Sequence, residues 1–253
     1  MHFRKLKQII YGLIFILIIF SLIYFFYMSF GVRPSCFDGK KNQGEDGIDC
    51  GGPCQKICLS SNLRNVEINW VKFNIINNKL ILLAQIKNPN NDFGIYNFDY
   101  KFNIFDKNKN LIKTINNNSF IYSEEIKYLI EFLDFYDIQN IDSVDLKILN
   151  PVWQKKDDFK RPILNVLDKN IYEKENNLNV FGKIINNDFV NFKNVNILVN
   201  FYNQGYWIGS SKTIINSIGP KEVKDFNVIF PKLKNISNIE DLQVEIVLEA
   251  KKT

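Results

Sequence analysis

The sequence has a single histidine, His2, and only four cysteines, all lying between Cys36 and Cys58. Both scarcities exclude chemistry. Beyond the N-terminus no Ser-His-Asp or Cys-His arrangement can form, and no histidine-ligated zinc site can exist. Charge of one sign is also lacking. The net charge is +5, of which Arg4, Lys5 and Lys7 supply three, so the rest of the chain carries +2 with acids and bases interspersed. That balance gives no reason to expect nucleic acid as a partner. Carboxylates are plentiful, yet a pair such as Asp157–Asp158 sits in a polar stretch and reads as solvated charge. With no acid marked for a shifted pKa, the sequence points away from an enzyme and implies no cofactor.

What is present begins with a long apolar run. From Ile9 to Val32 there are 24 residues without a charge, and about 20 suffice for a helix to cross the hydrocarbon core of a bilayer. Tyr24, Phe25, Phe26 and Tyr27 place aromatic rings toward one interface. Arg4, Lys5 and Lys7 precede the run and only Arg33 follows closely, so the positive-inside rule puts 1–8 in the cytoplasm as a short tail and everything after Val32 outside. A cleaved signal peptide has a shorter apolar core and a small-residue site; "SFGVRPS" is a poor match. The expectation is an uncleaved single-pass anchor whose membrane-lipid contact is residues 9–32.

The segment 33–59 holds all the thiols, Cys36, Cys50, Cys54 and Cys58, with 13, 3 and 3 residues between them. On the outer side of a membrane such a set forms disulfides, and three pairings are open. A tetrathiolate zinc site uses paired C-x2-C knuckles, which this spacing does not provide. The segment is too small and polar to bury a core, so covalent staples would order it. Asp38, Asn42, Glu45 and Asp49 are hard oxygen ligands of the kind calcium takes. Their spacing is not that of an EF-hand loop, and Asp and Asn favour tight turns for their own reasons, so the expectation is no metal, with calcium on those four residues as the minor reading. The pattern through Asp38, Gly39, Asn42, Glu45, Gly47, Asp49, Cys50, Gly51, Gly52 and Cys54 resembles a DCGG-type cysteine-rich module of secreted and surface-exposed proteins. The resemblance implies an extracellular setting and no activity.

After this module the signal is β. In "FDYKFNIF", Phe98, Tyr100, Phe102 and Ile104 alternate with polar residues, and Val195, Ile197, Val199 and Phe201 keep the same beat in "VNILVNFY". This is period 2 with one face buried. The only helix candidate, "EEIKYLIEFLDFYDI", also reads as a strand followed by a turn. An internal repeat runs through the region at an offset of about 97 residues. Residues 79–91 align with 177–189, matching Asn88 to Asn186; 103–114 align with 200–213, 123–132 with 220–230, and 138–148 with 233–244. The fold class expected is mainly β: two β-sandwiches, at 60–150 and 163–253, behind a transmembrane helix and a disulfide-stapled segment. The polar stretch "NPVWQKKDDFKRP" supplies a linker at 151–162.

The second copy resembles the FxLYD-like family, an immunoglobulin-like β-sandwich of prokaryotic surface proteins. Gly182 and Asn186 match its "G.v.N" segment, "FYNQGYWIG" stands where the family has "LYD..G.vig" with Asn203 for the Asp, and "IGPKEVKDF" stands for "L.pGe...F". The first copy keeps Phe105–Asp106 at the "YD" position and loses the turn glycine. The resemblance implies an immunoglobulin-like fold and a surface setting, and no reaction.

Trp70, Trp153 and Trp207 suggest a sugar- or peptide-binding platform, but core packing is the plainer reading for Trp70 and Trp207, and Trp153 is placed as a wedge between the sandwiches. The edge of either sandwich can accept a partner's strand, a mode that leaves no mark in sequence. The expected role is non-catalytic, in binding, adhesion or structure, for a surface protein with its C-terminal domains outside the cell. The alternative is an accessory subunit of a membrane or envelope complex of the secretion or pilus type. The binding residues and the protein or surface-polymer partner are not identifiable from the sequence.

Overall fold

The computed structural model describes residues 2–30, 35–54, 56, 58, 63–134, 140–232 and 239–252. Parts of several expectations therefore lie outside the described residues: the end of the apolar span at 31–32, the junction at 59–62, the tail of the helix candidate at 135–138, and the repeat segment 233–238. The chain divides into two compact units, Met1–Cys58 and Leu59–Thr253.

In the first unit, helix α1 runs from His2 to Phe30. Its Phe3–Tyr27 stretch is long and apolar enough to cross a membrane, and none of its strongest window is buried within the protein. A helix of this length and composition near the N-terminus suits a membrane anchor or a signal sequence. The cysteine-rich segment that follows has two disulfides, Cys36–Cys54 and Cys50–Cys58. Among its described residues Cys54 is the only buried apolar side chain, so the staples do the work of a core.

Among the described residues the second unit has twelve antiparallel strands in four three-stranded sheets. Strands β1 (Glu67–Ile76), β2 (Lys79–Lys87) and β5 (Ile126–Asp134) form one sheet, in the order β1-β2-β5. Strands β3 (Phe93–Asp106), β4 (Leu111–Ile121) and β6 (Ile141–Lys155) form the second, β4-β3-β6, and the two close a sandwich. The second copy repeats this plan. Strands β7 (Leu164–Lys174), β8 (Asn177–Asn186) and β11 (Val223–Pro231) make β11-β8-β7, while β9 (Phe192–Asn203), β10 (Tyr206–Ile218) and β12 (Leu242–Glu249) make β10-β9-β12. The helix candidate is strand β5 as far as Asp134. Among the described residues after α1, helical geometry is confined to 3-10 turns, at Ile239–Asp241 and at Asn140.

The repeat extends to individual bonds. Two-residue hairpins with both residues at positive φ join β1 to β2 (Asn77, Asn78) and β7 to β8 (Glu175, Asn176), the turn whose twist matches that of paired strands. Asn88 and Asn186, both fully buried, each clamp the loop that follows their own strand. A trio on the sheet faces recurs as well. The Asn103 amide donates to Asp145 and accepts from Thr114; the Asn200 amide donates to Glu245 and accepts from Ser210. Gly182 leaves space no side chain can occupy, because a Cβ there would lie 2.5 Å from the Asp168 carbonyl oxygen and 2.8 Å from the Phe226 ring. Gly182→Ala is expected to lower stability by about 1–3 kcal/mol, as overpacked sites do, and urea unfolding would measure it.

Each sandwich has its own core, but the two are not separate bodies on a linker. Leu80, Leu82, Ala84 and Ile86 of β2 enter the first core, whereas Ile81 and Ile76 enter the core of the second. Leu83 and Tyr128 meet Leu198 of β9, with Trp70, Ile130, Trp207 and Val247 around them. The sheet β1-β2-β5 therefore packs on β10-β9-β12. This corrects the expectation of one buried face for the second repeat run: Leu198 and Asn200, on the opposite face of β9 from Val199, are buried as well, Leu198 against Leu83 and Tyr128 of the first sandwich. The expected linker is corrected too. Residues 151–155 belong to β6, and Phe159 is 3% exposed, stacked on Tyr122 at 4.4 Å and edge-on to Phe120. Trp153 packs on the core of the first sandwich rather than wedging between the two.

Candidate functional site

Cys36, Cys50, Cys54 and Cys58 are all in disulfides, so none offers a thiolate to a metal. The Cys36 and Cys54 sulfurs do lie with Glu45 in one small cluster, but both belong to the same disulfide. Glu45 Oε1 is 3.1 Å from Cys54 Sγ, a contact without a hydrogen. The oxygen-rich residues come together as turn formers. Asp49 accepts from the Asp38 and Gly39 amides at 3.0 and 2.9 Å, and Glu45 Oε2 accepts from the Asn42 and Asp49 amides. Asp38 accepts from the Lys40 amide and from the Asn42 side chain at 2.8 Å, and the Asn42 bond holds its carboxyl below the usual carboxylate range. Gly52, at φ 55° against the Gly44 carbonyl, has no room for a Cβ. Replacing Cys36 and Cys54 by serine is expected to destabilise this segment by about 3 kcal/mol, the loop-closure value for an 18-residue separation. Hydrogen exchange should then rise over 35–54 while strands β1–β12 stay protected.

A recess of about 930 Å³ opens in the second unit. It lies between two edge strands of the second sandwich, bordered by Ile163–Val166 at the start of β7 and Glu245–Ala250 at the end of β12, with Tyr122, Glu125 and Tyr128 of the first sandwich at its side. Its floor is core seen through a gap: Leu164, Val166, Ile246 and Leu248 pack on the second core but are only partly buried. Four features place the polar groups around it. Glu125, 6% exposed, accepts from the Tyr122 amide at 2.8 Å and lies 3.7 Å from Arg161; burial pushes its carboxyl up, opposed by Lys127. Lys127 is 2% exposed and sits 2.9 Å from Glu249 and 4.1 Å from the Phe120 ring. Glu245 accepts from Tyr128 at 2.9 Å, and from Asn200 and Tyr202 at 3.1 Å each; burial above all pushes both tyrosine hydroxyls up. The Tyr122 hydroxyl donates to the Ala250 carbonyl at 2.9 Å, tying the end of β12 to the first sandwich.

None of these residues is marked in the sequence except through its strand. Trp70 and Trp207, considered for a platform, are instead at the buried contact between sandwiches, where the Trp207 ring nitrogen donates to Ser210 at 3.0 Å. What the recess offers chemically is apolar floor, an acidic rim and two strand edges.

No protein-family model matches the chain, and no curated protein matches it. Among solved structures, red sea bream transglutaminase is similar over 71% of this chain and 29% of its own, at 8% identity and a TM-score of 0.24. The chain thus spans less than a third of that structure.

Proposed function

We propose that this is a single-pass membrane-anchored surface protein, with 1–8 cytoplasmic and the sandwiches outside the cell, whose role is non-catalytic binding, adhesion or structure. The observation that carries the reading is the union of the two sandwiches through shared core residues. Ile76 and Ile81 of the first lie in the core of the second, which makes one stiff body suited to presenting a surface at a fixed geometry. The exposed apolar helix and the two disulfides support a membrane-proximal, oxidising setting. Six strands per copy in two facing sheets support the immunoglobulin-like reading of the FxLYD-like pattern.

The test is crosslinking of the full-length protein in its native membrane, followed by detergent purification and identification of what is bound. Adhesion predicts a surface polymer or a protein of another cell. A stoichiometric set of membrane proteins would make it a subunit of an envelope complex. Recovery of the protein alone under all crosslinking conditions would remove the binding reading.

A further inference from the structure

A strand at the edge of a sheet exposes unpaired backbone donors and acceptors, and proteins usually blunt such edges with lysine, proline or a bulge. Strand β12 does none of these. It pairs with β9 in unbroken register from Leu242 to Glu249, contains no lysine or proline, and no strand pairs with its outer edge among the described residues; one side chain reaches its backbone from β7, where the exposed Lys169 donates to the Val244 carbonyl at 3.3 Å. Its counterpart in the first copy is blunted: β6 carries Lys147 and Pro151, has Asn150 at positive φ, and pairs with β3 through register shifts. Across the recess β7 is also an edge, broken by a bulge between Val166 and Asp168. An open backbone edge beside a partly covered core asks for an occupant with a backbone of its own. A small apolar molecule would fill the floor and leave the edge unpaired.

Resting on the binding reading above, we propose that the seam between β7 and β12 receives an extended segment of a partner protein. That segment adds a strand to the outer edge of β12 and turns alternate apolar side chains onto Leu164, Val166, Ile246 and Leu248. Its remaining side chains face a rim where Glu125 and Glu249 already meet Arg161 and Lys127 while Glu245 accepts from the neutral Tyr128, Asn200 and Tyr202, so the partner strand carries lysine or arginine opposite Glu245.

The experiment is selection from a library of random peptides about ten residues long, the length of a strand, on the full-length protein in detergent. The expected result is enrichment of sequences alternating apolar with basic or hydroxyl residues. Their binding should weaken about tenfold or more when a central residue is made proline, which removes a ladder donor. The same loss is expected in an Ile163→Lys, Leu167→Lys protein. Those two side chains are 56% and 53% exposed, so the thermal midpoint should not move. Failure to enrich any such sequence overturns the proposal, as does equal binding to the double variant and of the proline peptides. Self-association that the double variant abolishes, with no peptide enriched, also overturns it and gives the edge to a second copy. Membrane crosslinking keeps the two failures apart. A partner that co-purifies equally with the double variant leaves the binding reading standing and removes the seam, whereas no partner for either protein removes both.

Discussion

Lys127→Ala is expected to destabilise the double sandwich by about 3–5 kcal/mol, the range for breaking a buried ion pair from one side. Lys127 belongs to β5 of the first sandwich and Glu249 to β12 of the second. Their side chains are 2% and 16% exposed and approach to 2.9 Å. The angles fall outside hydrogen-bond geometry, so charge is what joins them. Without the ammonium, Glu249 would be left a carboxylate out of water, near a Glu125 whose own carboxyl is already pushed up by burial and is held down mainly by Lys127. The pH dependence follows in sign. An acid whose folded pKa is raised contributes stability that is complete below its unfolded pKa and is lost as pH rises through the folded value. Removing Lys127 takes away the charge that holds the Glu125 carboxyl down, so the loss should be largest at neutral pH and shrink as pH falls into the carboxylate range. Urea midpoints at several pH values would show this. Replacing the pair together, Lys127→Met with Glu249→Leu, should restore most of the stability. A loss of equal size at neutral and acid pH would mean that packing against Phe120, rather than charge, is what Lys127 supplies.

The elements written in a single stretch of sequence were legible. Twenty-four uncharged residues, four clustered cysteines and the alternation of Phe98 to Ile104 each signal their own structure, and the match of Asn88 to Asn186 marks one fold made twice. What escaped depends on what lies opposite. The run "LILLAQI" in β2 is apolar at nearly every position because both of its faces are covered, one by its own core and one by the second sandwich, but periodicity alone does not say which element covers a face. Trp70 and Trp207 gave no sign of sharing a contact across about 137 residues of sequence. The stretch 151–162 looked like a linker because its letters are polar; one residue, Phe159, decides otherwise by filling a site among Tyr96, Phe120 and Tyr122. The disulfide pairing is a matter of loop path and could not be read from spacing. The seam escaped for the same reason as the interface, since Leu164 and Leu248 come to border one recess only once the sheets have formed.

Asn186→Leu is expected to cost about 3–5 kcal/mol, and Asn88→Leu a similar amount. Each asparagine is fully buried and satisfies backbone groups on two loops. The Asn186 amide donates to the Val190 and Gly219 carbonyls at 2.8 and 2.9 Å, while its oxygen accepts from the Asp188 amide at 2.9 Å. Asn88 does the same for Phe93, Tyr122 and the Asn90 amide, at 2.7, 2.9 and 3.1 Å. Leucine has nearly the same size but no polar atom, so three buried backbone groups lose their partners, each at roughly 1–3 kcal/mol. Aspartate would serve no better, because a carboxylate cannot donate to either carbonyl. Calorimetry carries the more searching result. The two sandwiches share Ile76, Ile81 and the contact around Leu198, so damage confined to one copy should lower a single transition for both. Asn88→Leu and Asn186→Leu should then give one heat-absorption peak each, at similar reduced temperatures. Two peaks in either variant, with one near the wild-type midpoint, would mean that the interface is too weak to couple the copies, and that the stiff double body is two independently folding domains in contact.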